Sequence, residues 1–223
     1  MGSSTKEDEK MGNENKVDTT KLSVREVDRK IAREMIIENH YSHKWTKCSV
    51  ALGLFYSDGS QHKFFDEDDE RLIGVICYGD PIGRHSGASI STEIPRENVY
   101  ELVRLFVHDG YGGNVESYLI GKGFKWLKEN KPNIKGLISY ADPQMGHVGT
   151  IYQATNWIYQ GNRIRPNDFW IKKELRKHRY VYLLGNKSEI RKARKGLKHP
   201  QLTYPKTSDI EDVEIKKIEV NNR

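Results

Sequence analysis

Cysteine is nearly missing from this chain. Of 223 residues only Cys48 and Cys77 carry a thiol, and both lie in apolar runs that read as buried strand. That pattern leaves no disulfide framework and no cysteine-based zinc site, so a reducing, cytoplasmic setting is expected. Long apolar runs are missing too. No stretch approaches the roughly 18 residues of a membrane span, and the polar, mixed-charge start does not read as a secretory signal. No membrane partner is expected. The length suits one well-filled α/β domain with a leader and a tail, and is short for two full domains. Acid is scarce in one region. From Arg163 to Lys206 fourteen lysines and arginines stand against Asp168, Glu174 and Glu189 alone, in a chain of net charge +6. A solvated surface is one reading of such a run. Because it is nearly single-signed and contains Trp170, Tyr180 and Tyr182, it points to a polyanionic partner, a nucleic acid or a phosphorylated cofactor.

What is present is an alternation of helical and extended patterns. Residues 1–20 lack periodicity and read as a disordered leader. "SVRE" offers Ser23 as a helix cap with Glu26 three residues on. Val24, Val27, Ile31, Met35 and Ile36 then repeat at helical spacing, which predicts a helix to about Glu38. "SVALGLFY" and "RLIGVICYG" predict a hairpin whose tip holds the acidic stretch Asp66 to Glu70. "NVYELVRLFV" reads as a strand, Asn114 as the start of a helix running to Glu129, and "KGLISYAD" as a buried strand. "VGTIYQATN" has the length of a short helix and "WIYQG" turns back into a strand. "RYVYLLG" is a last strand, followed by the basic helix "NKSEIRKARKGL". The expected class is α/β, a mixed central sheet flanked by helices.

The segment "IYQATNWIYQG" resembles the "LYxxxGFxxxG" helix-to-strand motif of GNAT acyltransferases. Tyr152 stands at its tyrosine, Trp157 at its aromatic position and Gly161 at its end. Asn156 stands where that family usually has glycine; asparagine tolerates the left-handed backbone, so the turn is expected to survive. Three further stretches are similar to the phage Mom proteins, DNA-modifying enzymes with a GNAT-like core. These are "NHYSHKW", "ELVRLFV…GGNVESYLI" and "SYADPQMGHVGTIYQA", in the family's order, from Asn39 to Gly161. The resemblance implies a GNAT-like catalytic domain over residues 21–185, with 186–223 as a basic C-terminal helix and tail. It implies addition of a carbamoylmethyl-type group to the exocyclic amine of adenine in DNA, which shields phage DNA from restriction. It further implies acetyl-CoA or a related acyl donor.

Chemistry of this kind needs a cradle for pyrophosphate and groups that move protons. The resemblance places the cradle at Gly112, Gly113, Asn114 and Ser117, although the usual "Q/RxxGxG/A" signature is absent and an ordinary turn is the plainer reading of the glycines. Arg104 matches the Mom arginine and would pair with phosphate or carboxylate. By the same analogy Tyr152 is the general acid. Asp142, at a strand end, would accept or orient a proton, or else only cap the following turn. His40 and Tyr41 would join them if their loop covers the same cleft. The set His40, Tyr41, Asp142 and Tyr152 also has the donor chemistry to hold iron or another divalent metal. His147 carries no functional expectation.

An adenine amine inside a duplex is reached only by base flipping or in a single strand, with aromatic residues to stack on the base. Tyr41, Trp45 and Trp170 are candidates. Lys172, Lys173, Arg176, Arg179, Arg191, Lys192, Arg194 and Lys195 would grip DNA phosphates without reading sequence. Two other readings stay open: a GNAT acyltransferase for a protein or small-molecule amine, and a non-catalytic nucleic-acid-binding module on the same scaffold.

Overall fold

The computed structural model describes residues 17–57, 70–162 and 176–207. In chain order these form β1 (Leu22–Glu26), α1 (Arg29–Asn39), β2 (Val50–Ser57), β3 (Glu70–Gly79), β4 (Val99–Val107), α2 (Val115–Asn130) and β5 (Gly136–Ala141). They continue as α3 (Thr150–Ala154), β6 (Ile158–Asn162), β7 (His178–Leu183) and α4 (Lys187–Lys195). The seven strands described make a mixed sheet of order β1-β2-β3-β4-β5-β7-β6, with helices beside it. The expected α/β class therefore holds.

Two compact units share this chain. Of the described residues, the first takes those up to Gly79 with Val103–Trp126, the second Asp80–Leu102 with those from Leu127 on. β4 and α2 each run through both.

In the first unit β1, β2 and β3 pair antiparallel. α1 sets Ala32 and Ile36 into a core with Cys48, Ala51, Val75, Cys77 and Val103. Residues 22–26 are not the first turn of a helix but strand β1, with Val24 opposite Leu54 of β2. Ser23 caps nothing; its hydroxyl donates to Glu70 at 2.9 Å. The helix starts later, capped by the carboxylate of Asp28, which accepts from the Lys30 amide. A full set of ladder hydrogen bonds outweighs one local capping signal.

In the second unit the start of β4 pairs with β5 in parallel. α2 makes the crossover that such a pair requires. β7 then pairs antiparallel with β5 on one side and β6 on the other. Ile90, Ile94, Val99, Ile138, Ile158, Val181, Leu183 and Ala193 form its core. Ala193 belongs to α4, with Ile190 and Leu197 packed beside it. That helix is thus built into the second unit. The segment after it lies along β6: the Leu202 amide donates to the Tyr159 carbonyl and the Tyr204 hydroxyl to that of Trp157. This covers a strand edge that would otherwise present unpaired backbone groups.

Candidate active site

In the second unit, β5 and α3 bring together the residues of "SYADPQMGHVGTIYQATNWIYQG". The connection between them is forced into shape by left-handed residues. Gly146 ends the short turn after Asp142 with φ of 76° and Gly149 opens α3 with φ of 86°. A side chain at Gly149 is doubly excluded, because its Cβ would lie 2.5 Å from the Tyr180 ring. Asn156 adopts φ of 61° at the end of α3, the left-handed turn expected of it.

This turn sets Tyr152 among rings. Its centroid lies 5.1 Å from those of both Trp157 and Tyr180, and the side chain is buried. Its hydroxyl meets the Ser139 hydroxyl at 2.8 Å, and Ser139 meets the Leu102 carbonyl at 3.0 Å. A carbonyl only accepts, so the single proton of Ser139 goes to Leu102. Tyr152 must then be the donor to Ser139. The phenolic O–H is directed at this serine, and presenting its proton to any other acceptor requires the O–H to rotate away. The neighbouring Tyr180 donates to the Val148 carbonyl and accepts from Gln153. Burial pushes its phenol well above the usual tyrosine range, so it stays protonated.

Asp142 stands three residues past Ser139, about 10 Å along an extended strand. One carboxylate oxygen accepts from the Gln144 amide at 3.2 Å and the other pairs with Lys177 at 2.8 Å. The capping role foreseen for it is therefore real. The Lys177 ion pair adds a cation that no sequence motif had marked. His147 is exposed nearby, and its backbone amide donates to the Asp142 carbonyl.

The other expected residues lie in the first unit. His40 ends α1 and is buried. Its Nδ1 accepts from the Ser42 amide at 3.1 Å, which leaves the ring proton on Nε2 in the neutral form. Its ring lies 4.2 Å from that of Tyr41, which is largely exposed. Arg104, on β4, donates from Nε to the Lys44 carbonyl at 3.0 Å and from Nη1 to that of Val103. It thereby ties the His40–Trp45 loop to the strand. Two separate sequence motifs meet here through a contact that neither spells out. Gly112 and Asn114 enter α2 with φ of 95° and 71°. These positions demand glycine or asparagine for backbone reasons alone. Gly113 lies between them, and Ser117 sits in the first turn of α2 beside Glu116.

Of the expected phosphate contacts, Lys172 and Lys173 lie outside the described residues, as does Trp170. Arg191, Lys192, Arg194 and Lys195 are all exposed on α4, and Arg176 is half-buried. Arg179 is corrected: it is 3% exposed and donates to the Ser89 carbonyl. It lies on β7, an interior strand, where a side chain enters the packing instead of facing solvent. Among the described residues no three or more His, Cys, Asp or Glu side chains gather as a metal site. His40 and Tyr41 belong to one unit, Asp142 and Tyr152 to the other.

Ser139, Lys177 and Ser42 are the residues that sequence reasoning missed. Ser139 had one available signal, a small hydroxyl in an otherwise apolar strand.

The chain is 29% identical over 133 residues to the methylcarbamoylase Mom of Escherichia phage Mu, covering 59% of this chain and 50% of that protein. It thus spans about half the length of the curated relative it matches. Solved structures with a similar course include the NAA60 protein of Arabidopsis thaliana, at TM-score 0.49 and 11% identity over 74% of this chain and 98% of that one. Another is a GNAT-family acetyltransferase of Streptococcus pneumoniae, at TM-score 0.46 and 11% identity over 74% and 99%. No helix among the described residues is long and apolar enough to cross a membrane. The model of the Mom protein family matches residues 21–169, which include β1 through β6 and each residue expected from the sequence to be catalytic or to form the cradle. The chain belongs to the Mom protein family.

Proposed function

We propose that this protein is a DNA-modifying transferase that adds a carbamoylmethyl-type group to the exocyclic amine of adenine, protecting phage DNA from restriction. The observation that carries this reading is the family match over residues 21–169. The methylcarbamoylase of phage Mu lends it the reaction.

The residues present fit an acyl-CoA donor at one place. The chain enters the 16-residue helix α2 through two left-handed residues. Such an entry turns successive backbone N–H groups toward one point, where an anion is favoured. Gly112, Gly113, Asn114 and Ser117 would hold the pyrophosphate there. When bound, a CoA thioester would supply an activated acyl unit as the carbon source of the transferred group. Tyr152 holds a proton at its phenolic oxygen and directs it at Ser139. Asp142 offers a carboxylate whose Lys177 partner is 39% exposed and so can leave it. His40, protonated at Nε2 and accepting from the Ser42 amide at Nδ1, would serve as a hydrogen-bond donor from Nε2. Arg104 fixes the loop that carries His40 and Tyr41.

Expression in a bacterium, with mass spectrometry of nucleosides from hydrolysed genomic DNA, tests the proposal. A modified deoxyadenosine is expected. It should fall at least about a hundredfold in Tyr152→Phe and Asp142→Ala, as for loss of a proton-transfer group. Unmodified DNA from cells rich in folded protein would count decisively against it.

A further inference from the structure

A second feature of the first unit has no place in that mechanism. Arg29, Lys30 and Arg33 of α1, with Trp45, Lys47 and Cys48, line a pocket of about 280 Å³. The four cations are exposed, and among the described residues none of them forms an ion pair. Three other cations are neutralised within the chain: Arg25 by Glu70, Lys135 by Glu189 and Lys177 by Asp142. Four cations around one concavity, none of them in an ion pair among the described residues, favour an outside anion there.

The wall of the pocket adds to this. Trp45 is half-buried and packs against the core formed by Ala32, Ile36 and their neighbours, so its ring is a fixed platform. Buried Cys48 lies beside it. Long basic chains line such a pocket with their aliphatic stems and carry their charges at its rim. An aromatic platform under a cationic rim is the arrangement that takes an unstacked base and its phosphates.

We propose that this pocket binds a nucleotide of a single-stranded or locally opened DNA strand, with Trp45 under the base and Arg29, Lys30, Arg33 and Lys47 on the flanking phosphates. The proposal rests on the reading of the chain as a DNA-acting protein, and gives that reading a contact surface that the C-terminal basic run did not reveal. Base stacking and phosphate contact are separable, since only the second depends on salt.

The test is fluorescence anisotropy of a short labelled single-stranded oligodeoxynucleotide over a range of salt concentrations. Circular dichroism checks the fold of each variant. The double variant Arg29→Gln/Arg33→Gln should bind at least about tenfold more weakly, with a log–log salt slope flatter by about 1.4, the share of two single-strand phosphate contacts. Trp45→Leu should weaken binding about tenfold at unchanged slope, and Trp45→Phe should restore most of it. If Lys192→Gln/Arg194→Gln weakens binding while Arg29→Gln/Arg33→Gln leaves it intact, the pocket is overturned and the DNA reading stands. A wild-type protein that binds no oligonucleotide at low salt overturns both. Coenzyme A supplies the competing source of a phosphorylated adenine. If its binding depends on Arg29 and Arg33 while oligonucleotide binding does not, the assignment to DNA is overturned.

Discussion

At the scale of single residues, the informative group is the pair Tyr152 and Ser139. The sequence offered the tyrosine through a motif, but gave no view of where its proton goes. That became legible only when β4, β5 and α3 set a carbonyl, a serine and a phenol in line. A direct consequence concerns coupling. Ser139→Ala removes a buried acceptor and should cost about 1–3 kcal/mol, as for other buried hydrogen-bond deletions. Tyr152→Phe removes the matching donor. If the two groups act as one unit, the double variant should cost at least about 0.5 kcal/mol less than the sum of the singles. Urea unfolding of the four proteins measures this, and strict additivity would mean that the contact contributes nothing of its own. Arg179 teaches the converse lesson. Within a basic run it reads as a surface cation, yet its strand lies between two others and buries it. Charge composition reports a segment, while burial is decided by the strand's place in the sheet.

At the scale of elements, helices and hairpins announced themselves where periodicity, caps and turn residues agreed. α4 is the clearest case: the Asn186 side chain accepts from the Ser188 and Glu189 amides, and the Glu189 carboxylate accepts from the Asn186 amide. Those bonds and Lys135 hold the Glu189 carboxyl below the usual range. The Leu22–Glu26 strand was illegible for the opposite reason. Its defining partner, Tyr56 through Leu52, lies a helix and a loop away in the chain, and no local pattern encodes a remote ladder. A local helix signal can thus be true, as at Asn186, or overruled, as at Ser23. The difference is whether a strand competes for the same backbone. Nothing competes at Asn186, so Asn186→Ala should cost about 1 kcal/mol of stability and Asn186→Gly only a few tenths. Thermal unfolding of the two variants checks the order. Equal losses would show that the side-chain cap adds no stability.

At the scale of the molecule, the net charge of +6 is divided between surfaces of different kinds. The five exposed cations of α4 include Lys192, Arg194 and Lys195 in its last turn, where the helix dipole alone favours positive charge. Their presence therefore has a local explanation as well as a functional one, and the two predict different measurements. If they serve the helix only, Lys192→Gln/Arg194→Gln should lower stability by about 0.3–1 kcal/mol per charge at low salt and leave duplex DNA binding untouched. If they grip phosphates, the same variant should weaken binding to all duplex sequences alike. Its log–log salt slope should then be flatter by about 1.8, the share of two duplex contacts. The second outcome is expected, because α4 already has a complete capping box and a buried Ala193 to hold it. A helix so secured has little need of three cations at its end, whereas an extended polyanion does. Filter binding to two unrelated duplexes at several salt concentrations decides the matter. An unchanged slope on both would show that α4 does not contact DNA phosphates.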